Sequence, residues 1–230
     1  MTDTAGGSRN VFVLSTGRSG THTFVAACSH MTNRTAGHET RISLIGDERL
    51  AYPPDHVEAD NRLTWLLGRL EDRYGGDAHY VHLTRDEAAT AQSFVARYRK
   101  GIMLAYRTGI INKPAEDIPP IDMATDYVRT VERNIAAFLR DKPLVMEVRL
   151  AHAKEDFRAF WAWVGAEGDL DAALAEWDVK HDATKPKAPK PSKPPKTPKP
   201  PRPRRPLHQR ILRRGMRALG GGPRAPKRPA

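Results

Sequence analysis

Short apolar runs alternate, over the first 180 residues, with stretches whose apolar positions recur every three or four residues. "NVFVLS" (10–15) is apolar and β-branched, the make-up of a buried parallel strand. Behind it Phe24, Ala27, Cys28 and Met31 fall at i, i+3, i+4 and i+7, which predicts a helix. "RTAGHE" (34–39) predicts a weaker strand that ends in polar residues. In "NRLTWLLGRLEDRYG" (61–75), Leu63, Leu66, Leu67 and Leu70 share one helical face and Gly75 is the stop. "HYVHLT" (79–84) reads as a strand, and "DEAATAQSFVARYRK" (86–100) as a helix with acids in its first turn. A longer helix is predicted over 122–142, before Pro143, then a strand over "LVMEV" (144–148) and helices over 155–165 and 169–179. Residues 40–60 and 99–121 have weak periodicity and read as loops. Strands alternating with helices predict an α/β fold, a parallel sheet flanked by helices on both faces.

From 184 onward the pattern changes to "KPKAPKPSKPPKTPKPPRPRRP" and the like. Proline supplies no donor to a helix or ladder, and like charges repel. The segment 183–230 is therefore expected to be extended and disordered, largely polyproline II. Within it "LHQRILRRGMRAL" (207–219) sets Leu207, Ile211 and Leu212 at helical spacing among arginines, a short basic amphipathic patch. Residues 183–230 hold seven Lys and nine Arg and no acid; taking these 16 from the chain's 38 leaves 22 basic residues against 27 acidic ones. The overall charge of +11 thus hides a mildly acidic body and a strongly cationic tail. The expected organisation is a flexible 1–9, an α/β domain over 10–182 and the tail over 183–230. Cys28 is the only cysteine, which excludes an intramolecular disulfide and fits a reducing compartment. "MTDTAGGSRN" lacks a basic region followed by a long apolar stretch, and no apolar run spans a bilayer. The expectation is a soluble cytoplasmic domain whose tail can meet an anionic membrane or polyanion.

The chemistry gathers first in "LSTGRSGTHTF" (14–24), a glycine- and hydroxyl-rich turn between the first strand and the first helix. A helix N-terminus offers free N–H groups and positive dipole charge, and glycines let backbone approach a ligand. Gly17 and Gly20 supply that freedom. Thr16, Ser19, Thr21 and Thr23 supply hydroxyls, and Arg18 a planar, permanent cation suited to a tetrahedral anion. An ordinary strand-to-helix connection has the same look. The turn does not match G-x-x-x-x-G-K-[ST]: no Lys follows the second glycine and the glycine spacing is shorter, which speaks against a kinase or ATPase.

"STGRSGTHTF" resembles instead the 5′-phosphosulfate loop of the sulfotransferases that use 3′-phosphoadenosine-5′-phosphosulfate (PAPS), often G-x-x-[RK]-[ST]-G-T-[ST]. That family also binds the donor's 3′ phosphate, through a strand ending in Arg-Asp or Arg-Asn and a Ser eight residues on. "VHLTRDEAATAQSFVARY" (81–98) is similar, with Arg85 and Ser93 at that spacing. A capped surface helix also accounts for this stretch, with Asp86 and Glu87 at its N-terminus. The resemblance covers roughly 10–180 and implies a PAPS donor held by Thr16, Gly17, Arg18, Ser19, Gly20, Thr21, His22, Arg85 and Ser93. It implies PAP as product and requires no metal. Arg18 stands where many members carry a catalytic Lys, so it is read as an electrostatic clamp on the leaving group and not as a proton donor.

A hydroxyl acceptor needs a base. "GHET" (37–40) ends the second predicted strand, on the same sheet edge as Arg18, and the glycosaminoglycan sulfotransferases have a catalytic Glu shortly after theirs. Glu39 is the first candidate base and His38 the second; His22, inside the loop, is a weaker candidate whose alternative role is to touch the donor. His79 and His82 fall on opposite faces of their strand and complete no metal site. Cys28, Trp161 and Trp163 read as core. The leading expectation is a sulfotransferase acting on an unidentified hydroxyl or amine acceptor: a sugar, lipid or small metabolite. The alternatives are a kinase-like nucleotide-binding protein and a non-catalytic adaptor that binds polyanions or membranes.

Overall fold

The structure, a computed structural model, describes residues 9–112 and 117–179. Its strands are β1 (Val11–Leu14), β2 (Thr35–His38), β3 (His56–Ala59), β4 (His79–Thr84) and β5 (Val145–Arg149). All pair in parallel, in the order β2-β3-β1-β4-β5, with Val11 opposite both Val57 and His79. The helices are α1 (Thr21–Cys28), α2 (Leu67–Tyr74), α3 (Glu87–Val95), α4 (Gly101–Ala105), α5 (Pro120–Leu139), α6 (Ala153–Trp163) and α7 (Leu170–Ala175).

The alternation of side chains along β1 divides the core in two. Phe12 and Leu14, with Tyr80, pack beneath Phe94 of α3 and Tyr127, Val131 and Ile135 of α5. Val11 and Val13, with Val57, Val81 and Val148, pack against Phe24 of α1 and Phe157 and Phe160 of α6. The predicted sheet with helices on both faces is therefore present. Because every strand is parallel, all five carboxyl ends share one edge. The chain leaves β1 toward β2 through α1 on one face, and leaves β4 toward β5 through α3 and α5 on the other. The edge beside β1 and β4 is thus the switch point where open α/β sheets bind ligands.

Several boundaries differ from the sequence reading. The weakly periodic 40–60 contains β3, next to the central strand. Only Val57 and Ala59 are apolar there; the other face carries Glu58, which is fully buried. Its carboxylate accepts from Thr40 N (2.8 Å), Thr40 Oγ1 (2.7 Å) and, at 3.0 Å, pairs with His56 Nε2, so the polar face is satisfied internally. The predicted helix over 61–75 is a 3-10 turn (Asn61–Trp65) followed by α2. Asp60 sets that turn by accepting from Arg62 N at 2.8 Å, and Leu66, at φ −124°, separates the two pieces. The helix over 86–100 ends at Val95, and 99–121 contains α4 and a π-helical turn, Tyr106–Ile110. Met31 lies beyond α1, bridged to Gly168, yet is buried as its spacing required. Residues 180–230, with the tail and its patch at 207–219, lie outside the described residues, as do 1–8.

Candidate active site

The turn after β1 is wound tightly. Gly17 (φ 82°), Arg18 (φ 63°) and Gly20 (φ 95°) all take left-handed backbone. A Cβ on Gly17 would come within 2.8 Å of Asn61 Nδ2, and one on Gly20 within 2.9 Å of Leu150, so the glycines serve close packing as well as conformation. Ser15 Oγ accepts from Gly17 N (3.1 Å), Thr16 Oγ1 donates to Gly17 O (2.9 Å), and Tyr127 of α5 donates to Thr16 O (2.8 Å). The Thr16 hydroxyl is thus engaged inside the loop. Ser19 Oγ is different: it is buried and has no hydrogen-bond partner among the described residues. The N-cap of α1, Gly20, supplies no side-chain cap to the first turn of that helix.

The two sequence motifs meet at Arg18. Its Nε donates to Ser93 Oγ at 3.1 Å, and Arg85 Nη1 donates to the Arg18 carbonyl at 2.9 Å. Arg85 leaves the end of β4, and Ser93 lies in α3, which begins after Asp86 caps Ala89 N at 2.8 Å. The capped helix and the convergence on the loop therefore coexist. Glu87 pairs with Arg129 instead.

On the other side of the loop stand the candidate bases. His38, the last residue of β2, lies 3.0 Å from Thr21 Oγ1 through Nε2, and its ring stacks on His22 with centroids 3.8 Å apart. Burial, and after it the His22 ring, pushes His38 below its ordinary pKa of 6.5, which favours a neutral imidazole. Glu39 follows in left-handed backbone (φ 54°), its N–H donating to Ala59 O at 3.1 Å. Its carboxylate pairs with Arg62 Nη1 at 2.6 Å. Asp60 holds the Arg62 backbone and is itself anchored by the buried Arg49.

A cleft of about 240 Å³ opens beside the loop; Ser19, Arg85 and Ser93 are not among the residues that line it. Gly17, Arg18, Thr21 and His22 line it, with His38, Glu39, Asn61 and Arg62 from the ends of β2 and β3, and Arg97, Lys100 and Ile102 from beyond α3. Asn61, Arg62, Arg97 and Lys100 were not legible as site residues. The first two sat inside a predicted helix and the others at the end of another. The signal available was the charge density of "RYRKG" (97–101) beside the switch point. His79 lies edge-on to Trp163 and His82 binds Glu132 at 2.7 Å, on opposite faces of β4. Among the described residues no three His, Cys, Asp or Glu gather to hold a metal. Cys28 is buried in the core, and so is Trp161.

No protein-family model matches the sequence, and no curated protein matches it. Solved structures do. The sulfotransferase domain from the curacin biosynthetic pathway is similar with a TM-score of 0.55 at 13% identity, over 75% of this chain and 79% of that one. The mouse sulfotransferase SULT7A1, solved with PAP, gives 0.44 at 12% identity, over 74% of this chain and 63% of that one. The chain has a sulfotransferase-like α/β fold.

Proposed function

We propose that the protein transfers a sulfuryl group from PAPS to a hydroxyl or amine acceptor. The observation that carries the reading is the meeting of Ser93 and Arg85 at Arg18, across 75 and 67 residues of sequence. A donor with a 5′ phosphosulfate and a separate 3′ phosphate needs two anion sites side by side. The closeness of Arg85 and Ser93 to the loop supports such a pair of sites. The sulfotransferase-like fold and the unpartnered, buried Ser19 hydroxyl support the same reading.

In this reading Ser19 and the N–H groups of Thr21 and His22 hold the 5′ phosphosulfate, and Arg85 and Ser93 hold the 3′ phosphate. Glu39 takes the proton of the acceptor hydroxyl, with His38, kept neutral by burial, as the second candidate. The acceptor oxygen forms its bond to sulfur as the bond from sulfur to the phosphate oxygen breaks. The electron pair leaves on that oxygen, where Arg18 lies to meet the charge. Positioning and fixed charge supply most of such a rate. The bond from Tyr127 to the Thr16 carbonyl, which ties the loop to α5, supports a loop held in place before the donor binds.

Isothermal titration with PAP, 5′-AMP and ATP tests the assignment. PAP is expected to bind at least tenfold more tightly than 5′-AMP, without magnesium, since each charge-assisted contact to the second phosphate is worth about 1.5–3 kcal/mol. Equal affinity for PAP and AMP would sink the two-site reading. Tight, magnesium-dependent ATP binding would establish the kinase-like alternative.

A further inference from the structure

Large exposed apolar side chains gather where the chain leaves the cleft. Ile42 and Ile45 follow Glu39, and Leu104, Ile110 and Ile111 follow Ile102; Glu39 and Ile102 both line the cleft. Single exposed apolar residues are ordinary, but a group of them is not. Leu104, Ile110 and Ile111 are 42%, 57% and 37% exposed, on the segment that runs from α4 through the π-helical turn.

That segment is held from within. Met103 and Tyr106 are buried in the core, and the Tyr106 hydroxyl donates to Asp126 Oδ2 at 2.6 Å. Arg107, the only charged residue in 101–112, turns back: Nη1 donates to Tyr98 O at 3.0 Å and the guanidinium lies 4.0 Å from the Tyr98 ring centroid. Thr108 is exposed, yet its Oγ1 donates to Leu104 O at 2.7 Å, so this hydroxyl needs no water. The outward side chains are therefore aliphatic, with every nearby polar side chain of the segment engaged. Arg99 and Lys100 stand exposed just before it, and no carboxylate pairs with either among the described residues. Between Glu87 and Glu116 the sequence has no acid.

An aliphatic face preceded by cations and free of acids fits one kind of partner best. Protein interfaces are anchored by Tyr, Trp and Arg, and here Tyr106 and Arg107 are turned inward. A nucleic acid offers exposed isoleucines no apolar depth. An anionic bilayer takes the aliphatic side chains into its boundary and meets the cations with its headgroups. We propose that residues 99–111 dock the protein on an anionic bilayer, with the aliphatic face toward the lipid. No described helix is long and apolar enough to cross a membrane, so the contact is interfacial. Lys100 and Ile102 line the cleft from this same segment, so docking brings the cleft to the headgroups. The proposal is independent of the sulfotransferase reading.

The test uses the full chain with Ile110→Cys, labelled with the polarity-sensitive fluorophore NBD. Cys28, the only native cysteine, is buried, and burial holds its thiol well above its ordinary pKa, so the label goes to the new cysteine. Asp77→Cys, exposed before the amino end of β4 and so at the other edge of the sheet, carries the control label. Vesicles are mixed phosphatidylcholine and phosphatidylglycerol, or phosphatidylcholine alone. On the mixed vesicles the label at 110 is expected to shift to the blue, and the label at 77 to keep its emission in water. Unlabelled Leu104→Ser/Ile111→Ser is expected to melt near wild type, since both side chains are exposed, and to sediment with mixed vesicles about tenfold more weakly. A chain that sediments while the label at 110 still reports water overturns the proposal and assigns the contact to other residues. A double variant that sediments like wild type, or a wild-type chain that ignores the vesicles, overturns it too. So does a label already blue without lipid, and light scattering then tells whether a second copy covers the face.

Discussion

Arg18 is gripped from two directions, by Ser93 on its guanidinium and by Arg85 on its carbonyl. The second bond turns that carbonyl away and helps hold a non-glycine residue at φ 63°. Arg85→Ala is therefore expected to weaken 5′-AMP binding as well as PAP binding, with PAP losing more. Unchanged AMP affinity in titration would show that the loop holds its shape without Arg85. Glu39→Gln keeps size and removes basicity. PAP affinity is expected to stay level while turnover falls about 10²-fold, the usual scale for a lost general base. Normal turnover of Glu39→Gln with a dead His38→Ala variant would move the base one residue back. At this scale the glycines, hydroxyls and Arg18 were legible because the loop needs them within a few positions of one another. Asn61 and Arg62 were not, because their place in the site comes from β3 lying beside β1, which local sequence does not encode.

The elements show the same division. β1 is apolar on both faces and β4 carries Tyr80, Val81 and Leu83, so their burial was plain in the sequence. β3 was hidden because its buried polar face is satisfied only after Thr40 folds back onto Glu58. Gly37, opposite Glu58 in β2, makes room for that return. A Cβ there would collide with Thr40 Cγ2 and sit 3.2 Å from Glu58 Oε2. Gly37→Ala is expected to lower stability by about 1–3 kcal/mol, the usual cost of overpacking, as read by urea denaturation. β4 carries a second test. Burial of His79, reinforced by Arg34, lowers its pKa from 6.5 to about 4. The unfolded chain takes up that proton first, so stability falls as pH drops from about 6.5 toward about 4 and loses nothing further through His79 below that. His79→Phe, still able to pack on Trp163, is expected to give a shallower decline of Tm between pH 6.5 and 5. An unaltered slope would assign the acid sensitivity elsewhere.

For the whole molecule, every buried apolar side chain described falls between Val11 and Leu174. Lys-Pro repeats can supply few core contacts, so deleting 184–230 is expected to leave Tm and PAP affinity unchanged. The sixteen cations removed should cost binding to anionic vesicles, an effect that fades with salt. A truncated protein that unfolds, or binds vesicles as well as the full chain, refutes the tail as a separable electrostatic anchor. What the sequence by itself determined was local in origin: apolar period, loop composition, the Arg85–Ser93 spacing and the charge of the tail. These depend on neighbours within a helical turn or two, and fourteen-odd residues of pattern suffice to read them. The tertiary structure decided which ends met. Parallel pairing brought the ends of β1, β2, β3 and β4 to one edge, and only then did Arg18, Arg85 and Ser93 touch, Glu39 find Arg62, and Arg97 and Lys100 come to line the same cleft. Such contacts span dozens of residues and follow from strand order, which the periodicity of any one segment leaves open.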